Sequence, residues 1–234
     1  MELTRGDTDL EALNQALNDP QALAEYKRPY DDYKPSGLPR FLGSWLVILG
    51  NTFYGHEPSY LKFRAVEVIA RVPYHSWASA AYTMLTATYT DEKKAMRLSN
   101  VAKYSRVAQD NETMHVVVIS QIAKKEGERA GFFLHTLMPM LFAFFYFWWS
   151  YLLYLVNPRY SYELNYIFEN HAFEQYSRFL ETQGETLKGK SVDSEFLVWY
   201  GRNPRNQYEF FQSIRNDEII HRNTSIKEIE GHAL

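Results

Sequence analysis

Two short repeats, Glu112-x-x-His115 and Glu218-x-x-His221, place a carboxylate and an imidazole three residues apart. On a helix that spacing sets both side chains on one face, about one turn apart. Two such helices, with one further carboxylate from each of two others, are the ligand set of a di-iron or di-manganese four-helix bundle. Glu67 and Glu169 stand in the chain order that set requires. The chemistry open to it is the binding of two metal ions and the activation of oxygen.

The surroundings of these residues carry the case further than the repeats do. Glu67 has Phe63 and Ala70 as helical neighbours, and Glu169 has Tyr166, Ala172 and Phe173. A carboxylate on an apolar face needs compensation, because burying an unpaired charge costs several kcal/mol or forces the group to stay neutral. Metal cations compensate all four carboxylates at once, whereas surface pairing with Lys or Arg would have to be arranged for each separately. Asn111 precedes Glu112 and Asp217 precedes Glu218, and both can hydrogen-bond to groups around a metal ligand. Tyr176 lies seven residues after Glu169, two turns along the same face; by itself it reads as one more core tyrosine among 18, and beside a metal–oxygen centre a phenol there can supply an electron and a proton. His75, His135 and His232 read as capping, core or surface residues.

These residues need long helices to position them. The 234-residue chain fits one domain, read as an N-terminal arm over residues 1–37 and a helical domain over 38–234. A short helix fits Asp9 to Tyr26, and Pro29, Pro35, Gly37 and Pro39 then break it. Further helices are expected over Arg40 to Tyr54 and Tyr60 to Thr88, the latter kinked at Pro73. Others fit Thr90 to Lys125, Ala130 to Pro158, Ser161 to Thr182 and Pro204 to Glu230. Gly184, Gly189 and the residues between them read as a loop, as does Asp193 to Asn206. The chain has no cysteine, which excludes disulfides, thiolate metal sites and cysteine nucleophiles. Carboxylate and imidazole remain as metal ligands, a set that suits iron or manganese. A net charge of −3 gives no sign of a nucleic-acid partner.

From Ala130 to Pro158 there is no Asp, Glu, Lys or Arg. By length this run can cross a bilayer. Its Trp and Tyr residues are spread throughout, and Pro139 interrupts it, which fits better a helix lying in one leaflet. Lys124, Lys125 and Arg129 precede it and Arg159 follows, placed for lipid phosphates. Trp45-Leu46-Val47-Ile48-Leu49 is too short to span and is expected to lie on the same surface. The polar, acidic N-terminus resembles neither a signal nor a transit peptide.

Four motifs in order resemble the alternative oxidases, most closely their plastid terminal oxidase branch. They are Val66-Glu67-Val68-Ile69-Ala70-Arg71-Val72-Pro73, Asn111-Glu112-Thr113-Met114-His115, Glu169-Asn170-His171-Ala172-Phe173-Glu174-Gln175-Tyr176 and Arg215-Asn216-Asp217-Glu218-Ile219-Ile220-His221. The resemblance spans about Tyr60 to Ile229. It implies an all-α, ferritin-like four-helix di-iron bundle with two additional helices forming a monotopic membrane-binding face. The two Fe ions would be held by Glu67, Glu112, His115, Glu169, Glu218 and His221. Tyr176 would be the tyrosine next to the iron centre, and Asn111 and Asp217 its hydrogen-bonding supports. Lys62, Val66, His171, Ala172 and Gln175 would line the quinol pocket. The activity implied is oxidation of plastoquinol or ubiquinol with reduction of O₂ to water, by a homodimer on a thylakoid or plasma membrane, without proton pumping. A membrane-associated di-iron quinone hydroxylase is the alternative. Val66 and Val68 replace the family's Leu and Thr around the first Glu, and Gln175 replaces a Thr, changes that bear on quinol preference.

Overall fold

The computed structural model describes residues 5–232. Among the described residues every regular element is helical: α1 (Arg5–Ala16), α2 (Pro20–Lys27) with a 3₁₀ turn at Arg28–Tyr30, α3 (Gly37–Tyr54), α4 (Tyr60–Ala70), α5 (Val72–Thr88), α6 (Glu92–Lys125), a π turn at Phe133–Leu137, α7 (Met138–Val156), α8 (Pro158–Lys188), α9 (Glu195–Tyr200) and α10 (Gln207–His232). They form two compact units, one of Tyr60–Asn165 and one of the chain up to Ser59 together with the chain from Tyr166. Helix α8 begins in the first and continues into the second.

In the Tyr60–Asn165 unit, α4 and α5 pack on α6 and on α7. Fully buried Ala80 and Ala81 on α5 allow close approach, and Trp77, Tyr74, Met114, Val118 and Ile119 fill the interior. The expected kink at Pro73 is a full break. α4 ends at Ala70, and Pro73 sits in the first turn of α5, where its missing N–H has no helical acceptor to lose. Asp91 caps α6, its carboxylate accepting from the Lys94 N–H at 3.1 Å. The Ser76, Ser150 and Ser161 hydroxyls form a buried chain (2.6 and 2.8 Å), and the Trp77 indole N–H donates to Ser161 at 2.7 Å. That chain ties α5, α7 and the start of α8 together through groups that would be costly to bury unpaired.

Pro139 acts on the charge-free helix in a way simple kinking does not describe. Directly before it the backbone widens into the π turn, where the Met138 N–H donates to the Phe133 carbonyl five residues back. A proline ring clashes with the carbonyl four residues earlier, and a wider turn moves that carbonyl aside. Beyond it, α7 turns Tyr146, Ser150 and Tyr154 inward. Met140, Leu141, Phe144, Phe145, Trp148, Trp149, Leu152 and Val156 are exposed. The run Phe133–Val156 is 24 residues long and apolar enough to cross a membrane, with most of its residues uncovered.

In the other unit, α1 packs on α10. Leu17, Phe173, Ile219 and Ile220 form a buried cluster, with Leu10, Leu13, Leu23 and Tyr26 against it. The single helix expected over Asp9 to Tyr26 is two: Asp19 caps α2, accepting from the Ala22 N–H at 2.8 Å, and Pro20 opens it. Gly184 is inside α8 rather than in a loop. A Cβ there would lie 3.3 Å from the Tyr208 ring, so glycine serves close packing on α10. The stretch expected as a loop from Asp193 to Asn206 contains α9, capped by Ser194 and ended by Gly201 at φ 98°. On α3, Leu38, Phe41, Trp45 and Ile48 are exposed at three- and four-residue spacing, an apolar stripe on one face.

Candidate metal centre

The six acidic and imidazole residues occur as two triads of the same composition, one in each unit. In the first, α4 supplies Glu67 and α6 supplies Glu112 and His115, all at most 1% exposed. His115 Nδ1 lies 3.2 Å from Glu112 Oε2 and 3.4 Å from Glu67 Oε2. Each of the three has a potential ligand atom within 4.8 Å of the others. The three-residue spacing on α6 brings Glu112 and His115 onto one face, and the packing of α4 on α6 delivers Glu67.

Electrostatics makes this triad costly by itself. Burial pushes the Glu67 carboxyl well above its ordinary value, and the charge of Glu112 adds to the rise, while His115 only partly opposes it. Two buried carboxylates share one imidazole, so even a protonated His115 cannot neutralise both. A divalent cation removes the repulsion and accepts oxygen and nitrogen donors together, so this donor set fits the di-iron centre implied by the sequence.

The second triad is Glu169 on α8 with Glu218 and His221 on α10, at most 4% exposed. Again the potential ligand atoms lie within 4.8 Å of one another. Tyr176 is 1% exposed, and its ring stacks on Phe211 with centroids 6.1 Å apart and planes 28° apart. Asp217 is buried and held from two sides. Arg202 donates to its two oxygens at 2.5 and 2.8 Å, and Asn14 Nδ2 donates to Oδ1 at 2.6 Å. Asn111 is buried beside Glu112 on α6.

The residues proposed for a quinol are more dispersed in character. Lys62 is buried and Val66 half-buried on α4, while His171, Ala172 and Gln175 are half-buried on α8. Sequence reasoning did not single out Arg202, Arg222, Asn14 or Asn216, which hold the second triad's surroundings in place. Nothing in their spacing marks them, because each has a partner about two hundred residues away.

Helices alone among the described residues, with two buried Glu–Glu–His triads that could hold metal, fit the ferritin-like fold of the di-metal carboxylate proteins. Within that class, residues 49–228 match the family model described as Alternative oxidase, and the chain belongs to that family. It is similar to Ubiquinol oxidase 4, chloroplastic/chromoplastic, of Arabidopsis thaliana, with 26% identity over 205 residues, covering 79% of this chain and 55% of the relative. The chain thus spans about half the length of the curated relative it matches.

Proposed function

We propose that this protein is a membrane-associated quinol:oxygen oxidoreductase, which oxidises two quinols, plastoquinol by preference, and reduces one O₂ to two waters. The single observation that carries the reading is the recurrence of a buried Glu–Glu–His triad in a chain of the alternative oxidase family. Glu67, Glu112, His115, Glu169, Glu218 and His221 together supply the ligands of one di-iron centre. Bound iron would supply the redox chemistry that passes quinol electrons to O₂.

The chain's own side chains do the rest. The carboxylates hold negative charge where water is excluded, and the imidazoles complete each donor set. The Tyr176 hydroxyl, buried and with its ring fixed by stacking on Phe211, holds a proton that it gives up with an electron during turnover. Asn111 and Asp217 orient the residues that follow them. Lys62, Val66, His171, Ala172 and Gln175 line the quinol site. A lipid-soluble donor suits a protein with an uncovered apolar helix. The face of α7 carrying Phe144, Trp148 and Leu152 enters one leaflet, with the exposed Lys124, Lys125, Arg129 and Arg159 at the headgroups. The working form is a homodimer on a quinone-containing membrane, thylakoid or plasma membrane.

Quinol-dependent oxygen uptake in membranes, with cyanide present and several quinols compared, tests this. One O₂ consumed per two quinols supports the oxidase. Recovery of an oxygenated quinone would show the hydroxylase instead.

A further inference from the structure

Two buried cations play no part in the metal reading, and they bracket the α10 ligand pair. Arg222 follows His221 directly and is fully buried. One of its terminal nitrogens donates to Asp31 Oδ1 and to Asn170 Oδ1, both at 2.9 Å. The other donates to the Lys27 carbonyl at 2.8 Å, and Nε donates to Asn223 Oδ1 at 3.0 Å. Asn170 in turn follows Glu169 on α8. One guanidinium therefore joins the neighbour of a candidate ligand on α8, the neighbour of a candidate ligand on α10, and the N-terminal segment.

Arg202 does the same at the other end. It binds both oxygens of Asp217, which precedes Glu218, and its Nε donates to Glu11 Oε2 on α1 at 2.8 Å. Burial works against this guanidinium's charge, but Asp217 and then Glu11 outweigh it and hold the group above its ordinary value. Asn14 reinforces the junction by donating to Asp217 and to the Ser213 carbonyl. Asn223 donates to the Tyr26 carbonyl at 2.7 Å.

An arginine side chain does not shed its charge on burial, so its counter-charge must be built into the fold. Asp31 is the carboxylate paired with Arg222, and Glu11 is the second one on Arg202. Both come from the segment before α3. The pair Arg178–Glu57 in the same unit is 49% and 72% exposed, whereas Arg222–Asp31 is 0% and 37% exposed and Arg202–Glu11 is 7% and 27% exposed. Water screens the first pair on both sides, and the other two only from the carboxylate's side.

We propose that the segment Glu11–Asp31 is a strap that fixes the spacing of Glu169, Glu218 and His221 through the positioning residues Arg202 and Arg222, and so sets how firmly this chain retains metal. The proposal rests on reading the triads as an iron site.

The test uses the full chain, loaded with ferrous iron in detergent, then exposed to excess chelator. Glu11→Gln combined with Asp31→Asn is compared with wild type and with Glu57→Gln, which breaks only the exposed pair. Iron per chain, its rate of loss and far-UV circular dichroism are recorded. Removing the partners that orient metal ligands weakens metal affinity by roughly 10–100-fold, so iron should leave the double variant at least about tenfold faster with helical content unchanged. Glu57→Gln should match wild type, and Asp31→Glu should keep most of the retention. Iron loss at the wild-type rate from a double variant that keeps its helices overturns the strap. Should the double variant lose its helices, Asp31→Asn alone, which keeps an oxygen for Arg222, decides between the same outcomes. A wild-type chain that takes up no iron sinks the metal reading and the strap with it. Retention in wild type and variants alike sinks the strap alone.

Discussion

Replacing Glu67 with Gln should move the stability of the metal-free and iron-loaded protein in opposite directions. Glu67 and Glu112 are both buried around His115, and the Glu67 carboxyl is raised by burial and then by Glu112 from an ordinary value of 4.5. The sign follows from that direction. A carboxyl that binds its proton more tightly when folded leaves stability intact below its ordinary value and erodes it as the pH rises toward its folded value. Each pH unit held in this way costs about 1.4 kcal/mol, so at neutral pH the cost approaches roughly 3 kcal/mol. Gln keeps the shape and has no proton to hold. In a chain of this size each kcal/mol is worth about 2–4 °C, so the metal-free variant should melt roughly 6–12 °C above metal-free wild type at pH 7 and lose that advantage near pH 4. With iron the order reverses, because binding stabilises the wild type and each tenfold loss of affinity removes about 1.4 kcal/mol of that gain. Thermal melts of the detergent-solubilised protein at several pH values, with and without chelator, give all four curves. A metal-free Glu67→Gln protein that melts at or below the wild-type temperature would refute the reasoning, since Glu67 would then be a satisfied structural carboxylate.

Three other outcomes are expected. Tyr176→Phe keeps the stack on Phe211 and should bind iron as wild type does, while quinol-dependent oxygen uptake falls by at least about a hundredfold, the scale of a lost proton-transfer group. Replacing Phe144 and Trp148, 59% and 47% exposed, with Ser should leave circular dichroism unchanged and weaken partition into liposomes by roughly 30–1,000-fold, since each of the two rings gives up on the order of 1–2 kcal/mol of burial in lipid. Tyr26 is raised to about 12, first by burial and then by Tyr30; the stability it contributes is intact below pH 10 and lost between about pH 10 and 12. Alkaline melts should show that loss in wild type and a shallower one in Tyr26→Phe.

The candidate ligand residues were legible because their signal is local. Glu112 with His115 and Glu218 with His221 each need only a helix and a three-residue spacing, and the structure supplies both helices. The helix boundaries that went astray depend on partners remote in sequence. Gly184 reads as a breaker until Tyr208 packs against it. The segment after Asp193 reads as loop because six residues carry too little periodicity to announce α9.

The strap residues were hidden for a different reason, which lies in α10 itself. Residues 216–223 are buried without interruption, more than two full turns with every face covered. Amphipathic periodicity reports burial only when one side of a helix meets water. Where all sides are covered, polar and charged residues fall on every face, and the pattern reads as a solvated helix. Asn216, Arg222 and Asn223 therefore look like surface, although each makes part-buried hydrogen bonds. Their partners Asn14, Asn18, Asp31 and Tyr26 lie outside the region the family model matches. A helix that bears Glu218 and His221 and is covered on all sides needs polar partners from elsewhere in the chain. In this protein, the segment before α3 provides them.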